Sequence, residues 1–175
     1  MNHAAMTLTG QERHFLEHEL IVSKTDTKGC ITYSNRVFQN LSGYSEKELM
    51  GKAHSIIRHP EMPRCVFKLL WDTIEGGHEI FAYVVNRARN GDSYWVFAHV
   101  TPSFDASGQI IAYHSNRRVP KRPAVETIRP VYRQLLEIEQ RHGQDVKAGI
   151  AASSAALAAF LKDKGVTYDE LVFAL

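Results

Sequence analysis

The chain has 175 residues, 44% of them hydrophobic and 23% charged, and a formal net charge of +2. That balance fits a globular chain large enough for one domain with appendages. It excludes a strongly basic nucleic-acid binder, and no stretch approaches the roughly 18 apolar residues of a membrane helix. The two cysteines, Cys30 and Cys65, stand in no zinc-ligand spacing. The N-terminus, MNHAAMTLTGQERHFLEHEL, has no apolar leader. The expectation is a soluble cytoplasmic protein without a metal site, a membrane span or a nucleic-acid partner.

Residues 9–20 are expected to form a short helix, because Thr9 and Glu12 have the capping-box spacing. Leu20, Ile21 and Val22 begin a strand, TDTKG turns, and CITYSN returns as a second strand. Short helices follow over 35–42 and from Ser45 with Glu48 to Gly51. The stretch SIIRHPEMP then interrupts the helical pattern. Pro60 and Pro63 disfavour helix at His59 and Met62, so the chain bends there. Pro63 opens the next helix, where Val66, Leu69, Leu70 and Ile74 make an apolar stripe beside Phe67 and Trp71.

Three strands are expected next, at 79–89, 93–103 and 109–118. Asn90-Gly91 joins the first two and DASG the last two. Strands, then helices, then strands predict an α+β domain with a five-stranded antiparallel sheet and short helices on one face. VPKRP, with the basic pairs Arg117-Arg118 and Lys121-Arg122, reads as a solvated linker. Amphipathic helices follow over 124–141 and 144–162, and a last one starts from Thr167 with Glu170. The expected division is a helical cap (1–19), a sensor domain (20–119) and a C-terminal helical extension for output or dimerisation (120–175).

Alternation along YWVFAHVTP separates Val96, Ala98 and Val100 from Trp95, Phe97 and His99. The smaller set suits a cavity wall. The other set makes an apolar patch that needs a cover. The N-terminal helix, the C-terminal helices or a second subunit are the expected covers.

The order of elements, ending in NGDSYWVFAHVTPSFDASGQIIAY, resembles a PAS domain over about residues 15–120. RHPEMP, a Trp eight residues after its second proline, and NRARNGDSYW resemble more narrowly the flavin-binding PAS domains of bacterial aerotaxis receptors. The resemblance implies a flavin adenine dinucleotide (FAD) cofactor, with the elbow against its cavity. Carried over by position, the cofactor-associated residues are Asn35, Arg58, His59, Trp71 and Asn86, with Phe67 beside Trp71. Arg58 offers a fork of donors to phosphate, Trp71 and Phe67 a wall for the rings, and Asn35 and Asn86 amides for the ring edge.

The sequence departs from that pattern at Glu61, where the family often has Asp. It departs again at Glu79-Ile80-Phe81-Ala82, where the family usually has Pro-Trp-Ser-Gly. With Tyr83, these changes are expected to narrow or reshape the cavity.

The leading functional expectation is an intracellular, homodimeric redox or oxygen-status sensor that signals through its C-terminal helices to an unidentified protein partner. One alternative is a cofactor-free interaction module with Ile80, Phe81 and Tyr83 filling the cavity. Another is a haem sensor, with His54, His78, His99 and His114 as candidate axial ligands. No nucleophile–base–acid set or phosphate loop points to an enzyme.

Overall fold

The computed structural model describes residues 7–175. Its five strands are β1 (Ile21–Thr25), β2 (Ile31–Ser34), β3 (Ile80–Arg87), β4 (Ser93–Phe104) and β5 (Ile110–Arg118). They form one antiparallel sheet in the order β2-β1-β5-β4-β3. Local chemistry explains the hairpins. The Asp26 carboxylate accepts the N–H groups of Lys28 and Cys30 and closes the β1–β2 turn. Between β3 and β4, Gly91 takes φ 96°, and a Cβ there would stand 2.3 Å from the Thr7 carbonyl oxygen. Only glycine satisfies both demands.

On one face lie α1 (Arg36–Ser42), α2 (Glu46–Leu49), a 3-10 turn (His54–Ile57) and α3 (Arg64–Glu75). The expected capping box of Ser45 and Glu48 is present at α2. The elbow between the 3-10 turn and α3 is held by His59. Its Nδ1 accepts the Glu61 N–H at 3.2 Å, and the residue is 4% exposed. Arg58 makes an antiparallel backbone bridge to Asn86. The elbow therefore covers part of the open edge at β3, whose unpaired groups would otherwise face water or another chain.

The pairing Ile80↔Val100 through Arg87↔Ser93 fixes which side chains face which way. Val84, Asn86, Val96, Ala98 and Val100 face the short helices. Phe81, Tyr83, Trp95 and Phe97 face the other side, as the alternation in β4 predicted. That side is covered by α4 (Arg122–Arg141) and α6 (Tyr168–Ala174). The Tyr132 ring stacks on Trp95 at 6.4 Å, and its hydroxyl donates to the Tyr83 carbonyl at 2.8 Å. The Arg129 guanidinium lies 5.4 Å from the Trp95 ring centre. Phe173 packs on Phe81 at 4.7 Å and on Phe97 at 6.3 Å. Helix α5 (Val146–Lys164) packs on α4 and reaches α3. One continuous set of buried side chains runs from Ile21 through Trp95 and Tyr132 to Val172. The cover of the apolar patch is thus the chain's own tail.

Three expectations are corrected. Residues 9–20 are not helical. The Thr9 hydroxyl donates to Asp92, and the backbone pairs with Gly91 and Ser93. Glu12 pairs with Arg122 at 2.7 Å. Tertiary partners have taken the groups that a capping box would use. The first six residues of the expected cap lie outside the described residues. Phe81 and Tyr83 do not fill the cavity, because the register turns them to the opposite face. Arg117 is not in a solvated linker; it is the penultimate residue of β5 and is buried.

Phe97→Asp is expected to place a carboxylate among Phe81, Tyr83 and Phe173. It should cost about 2 kcal/mol of stability. Limited proteolysis should then cut α6 first. A variant with unchanged stability and an uncut tail would show that Phe97 does not anchor α6.

Candidate functional site

Between the sheet and α3 lies a cavity of about 510 Å³. That is within the usual range for a small-molecule site. Val84, Val96, Ala98 and Val100 form its floor, and Phe67, Leu70, Trp71 and Ile74 of α3 form a wall. Trp71 meets Tyr113 edge-on, with ring centres 5.5 Å apart. Its indole also lies over Gly29, where a Cβ would come within 2.9 Å of the ring. The glycine of the first hairpin therefore sets the depth of the Trp71 wall. Ile150 of α5 also lines the cavity, so the tail contributes to the site.

Four of the six expected residues meet here: Arg58, Phe67, Trp71 and Asn86. The Arg58 guanidinium stands 4.5 Å from the centre of the Phe67 ring, and its Nη2 is buried without a partner among the described residues. Asn86 is 5% exposed and faces the cavity from β3. Asn35 and His59 are not among the lining residues. The Asn35 amide is committed to the backbone. Its oxygen accepts from Phe38 and Val22, and its nitrogen donates to Leu20. It caps α1 and ties that helix to β1. His59 folds back onto the elbow, and burial holds its imidazole below the ordinary value.

Arg117 is the residue that sequence reasoning missed. It is 2% exposed, lines the cavity and lies 4.5 Å from the Phe38 ring centre. Its Nη2 donates to the Ser23 hydroxyl. Its Nε and Nη1 are buried with no partner among the described residues. Burial pushes the guanidinium down to about 10. The signal was present in the sequence: along a strand over 109–118, Arg117 shares a face with Tyr113 and Ser115, and both line the cavity. Of the four histidines considered for haem, only His54 does so. It is half-buried, stacks on Phe38 and lies 3.0 Å from the Ser23 hydroxyl. Burial, followed by the charge of Arg117, lowers its imidazole to about 3.

Among the described residues, the lining contains Lys28, Arg58, Arg64, Lys68 and Arg117 and no carboxylate. Lys68 is partly neutralised by Asp72 at 2.6 Å. Arg117 has no such relief among the described residues, and an unpaired buried cation costs several kcal/mol. The orphaned Arg117 and Arg58 nitrogens, set among aromatic and aliphatic walls, fit a flat aromatic ligand that carries phosphate. Neither cysteine lines the cavity. Cys65 is buried at the start of α3, and burial raises its thiol to about 11.

A second feature connects the cavity to the tail. Helix α3 begins after Pro63 with no side-chain cap of its own. Glu139 of α4 supplies one. Its carboxylate accepts the N–H groups of Arg64 and Cys65, each at 2.9 Å, and the Ser153 hydroxyl of α5 at 2.9 Å. A carboxylate at a helix N-terminus is also favoured by the helix dipole. Three helices thus meet at one buried side chain. Among the described residues, no group of three His, Cys, Asp or Glu side chains is placed to hold a metal ion. No helix among them is long and apolar enough to cross a membrane.

Comparisons with known proteins agree with this architecture. The family described as PAS fold matches residues 31–116. The chain is 34% identical to the aerotaxis receptor of Escherichia coli (strain K12) over 128 residues, which are 73% of this chain and 25% of the receptor. The chain therefore corresponds to about a quarter of that relative's length. The dark structure of the blue-light photoreceptor aureochrome1 LOV is 26% identical, with a TM-score of 0.54 over 69% of this chain and 84% of that one. A light-oxygen-voltage domain from work on a flavin analogue is 17% identical, with a TM-score of 0.58 over 63% of this chain and 84% of that one. At that identity the likeness is one of fold alone.

The state of His54 has a consequence for acid stability. The unfolded chain titrates this imidazole near 6.5, whereas the folded chain holds it neutral down to about 3. Between those values the unfolded state binds a proton that the folded state refuses, so stability falls as pH falls. The His54→Gln variant should lose less stability than wild type between pH 6.5 and 4.5. The difference in slope should be at most about 1.4 kcal/mol per pH unit. Equal slopes from urea unfolding would show that the folded imidazole takes up a proton freely.

Proposed function

This chain carries a PAS domain, and we propose that it is a sensory module that holds a flavin in its cavity and reports redox state to its C-terminal helices. The observation that carries the reading is the charge of the cavity: cations and no carboxylate within an apolar shell. Lys28, Arg58, Arg64 and Lys68 would meet phosphate. Trp71, Phe67 and the valine-alanine floor would hold the rings. Asn86 and Arg117 would face the polar edge, where Arg117 has donors to spare. A bound flavin would supply reversible electron and proton chemistry that the side chains of this cavity lack. FAD is the form favoured by the likeness to the aerotaxis receptor.

Redox is preferred to light as the stimulus because neither cysteine faces the cavity. In this reading residues 20–119 sense and residues 120–175 carry the output. Signalling requires contacts that differ between the two cofactor states. The neutral His54, Ser23 and Arg117 form a connected polar group on the cavity side, able to favour one charge at the ring edge over another. On the far side, α3 begins at the Glu139 carboxylate. A shift of α3 would alter bonds held by α4 and α5 together.

The direct test is the absorbance spectrum of freshly purified protein, with the released chromophore identified by chromatography. The expected result is a flavin spectrum that bleaches with dithionite and shows no lasting change after blue light. Arg117→Met should retain at least about tenfold less flavin with the fold intact. A colourless protein that takes up no added flavin would overturn the reading in favour of an interaction module.

The coupling has its own test. Glu139→Ala should cost about 2 kcal/mol, as expected for a lost helix cap with buried donors left unpaired. Amide exchange should rise first at Arg64 and Cys65. Unchanged exchange there would remove Glu139 from the route.

A further inference from the structure

We propose that Arg117 is an anion site in its own right: in the chain without flavin, a small, weakly hydrated monovalent anion such as bromide or chloride binds at its guanidinium. The site goes beyond the flavin reading and stands without it. The first argument is charge. Of the five cations that line the cavity, Lys28, Arg64 and Lys68 are exposed and Arg58 is half-buried. Arg117 alone is buried, at 2% exposure. Burial pushes its guanidinium down to about 10, which still leaves it charged at neutral pH. Water can fill Nε and Nη1, which have no partner among the described residues, but water does not cancel the charge. A buried cation is stable only beside a counter-charge.

Among the described residues the chain offers no such counter-charge. The cavity lining has no carboxylate. Glu139 is the one buried carboxylate, and it is committed to the N–H groups of Arg64 and Cys65 and to the Ser153 hydroxyl. Tyr94 is buried and acts on Arg117 through its charge, but burial pushes its phenol up, so it stays neutral. The Arg117 Nη2 donates to the Ser23 hydroxyl. The Ser23 proton is then left for the His54 Nε2 at 3.0 Å, and the neutral imidazole accepts it. The guanidinium is therefore the one charge in its own polar group.

The surroundings select the kind of anion. The Phe38 ring lies 4.5 Å from the guanidinium, and the rest of the cavity floor is Val84, Val96, Ala98 and Val100. Such walls do not replace the water around a sulfate or phosphate dianion, and stripping that water is costly. Bromide and chloride give up their hydration more readily. The guanidinium is itself more weakly hydrated than an ammonium, which suits it to such a partner. One monovalent anion also balances the single charge that is buried.

The test is thermal unfolding of the full chain, free of flavin, with sodium gluconate exchanged for sodium bromide at constant ionic strength. Constant ionic strength removes screening as the cause of any difference. About 0.3 M bromide should raise the Tm of wild type by about 3 °C or more, because only the folded state holds the site. Arg117→Met should lose that response, and Arg118→Gln, at the exposed neighbour, should keep it. A second measurement needs no variant to fold. The bromide magnetic-resonance line should be broader with folded wild type than with the urea-unfolded chain, and added chloride should narrow it. An equal Tm in bromide and gluconate, a response retained in Arg117→Met, or a line that chloride does not narrow would overturn the site. Narrowing by FAD would support both the site and flavin contact at Arg117. A line broadened by wild type, narrowed by chloride and untouched by FAD would support the anion site and overturn that flavin contact alone.

Discussion

The pairing of β3 with β4 is the constraint on which the rest of the structure depends. The Asn90-Gly91 turn aligns Ile80 with Val100 and Arg87 with Ser93. A slip of one residue would exchange the two faces. In the observed register the cavity receives Val84, Asn86, Val96 and Ala98, which leave space. The opposite face receives Phe81, Tyr83, Trp95 and Phe97, which demand a cover. The same alignment therefore creates both a site and a docking surface for the tail. Removing rings of this size from water contributes about 1.5–3 kcal/mol each when burial is complete, and together they hold α4 and α6 against the sheet.

The tail is consequently part of the site. Ile150 borders the cavity, and Glu139 caps the helix that carries Phe67 and Trp71. A helix without a local cap can still form, but its first N–H groups need acceptors. Here the acceptor comes from a residue 75 positions away. That arrangement makes the start of α3 dependent on the docking of α4, and the docking of α4 dependent on the start of α3. In the proposed sensor, such mutual dependence would couple the cavity to its output.

Electrostatics sharpens the same picture. Buried Arg117 and Ser23 and half-buried His54 form a connected polar group next to an apolar floor. The imidazole is held neutral, and the guanidinium keeps two nitrogens without partners among the described residues. The pattern resembles a binding site whose ligand completes it more than a core that polar groups have entered by accident.

Local pattern determined much of this protein. Turn residues and alternation located β3, β4 and β5 and the cavity-facing set Val96, Ala98 and Val100. Ser45 with Glu48, and Thr167 with Glu170, marked two helix starts that are capped as expected. The family likeness brought Arg58, Phe67, Trp71 and Asn86 to one cavity. These features were legible because each depends on residues a few positions apart, or on a motif that keeps its order.

Tertiary structure alone decided the rest. Thr9 and Glu12 have a capping pattern but no helix, because Asp92 and Arg122 claim their polar groups. Asn35 spends its amide on the backbone, although its residue type suits a ligand. Arg117 lies in a basic pair that reads as linker, yet the sheet buries it. Glu139 is one of several glutamates on an amphipathic helix, and nothing near it in the chain marks it as the cap of α3. In each case the deciding partner is far away in sequence, and hydrogen bonds and charges are assigned by distance in space rather than by position along the chain.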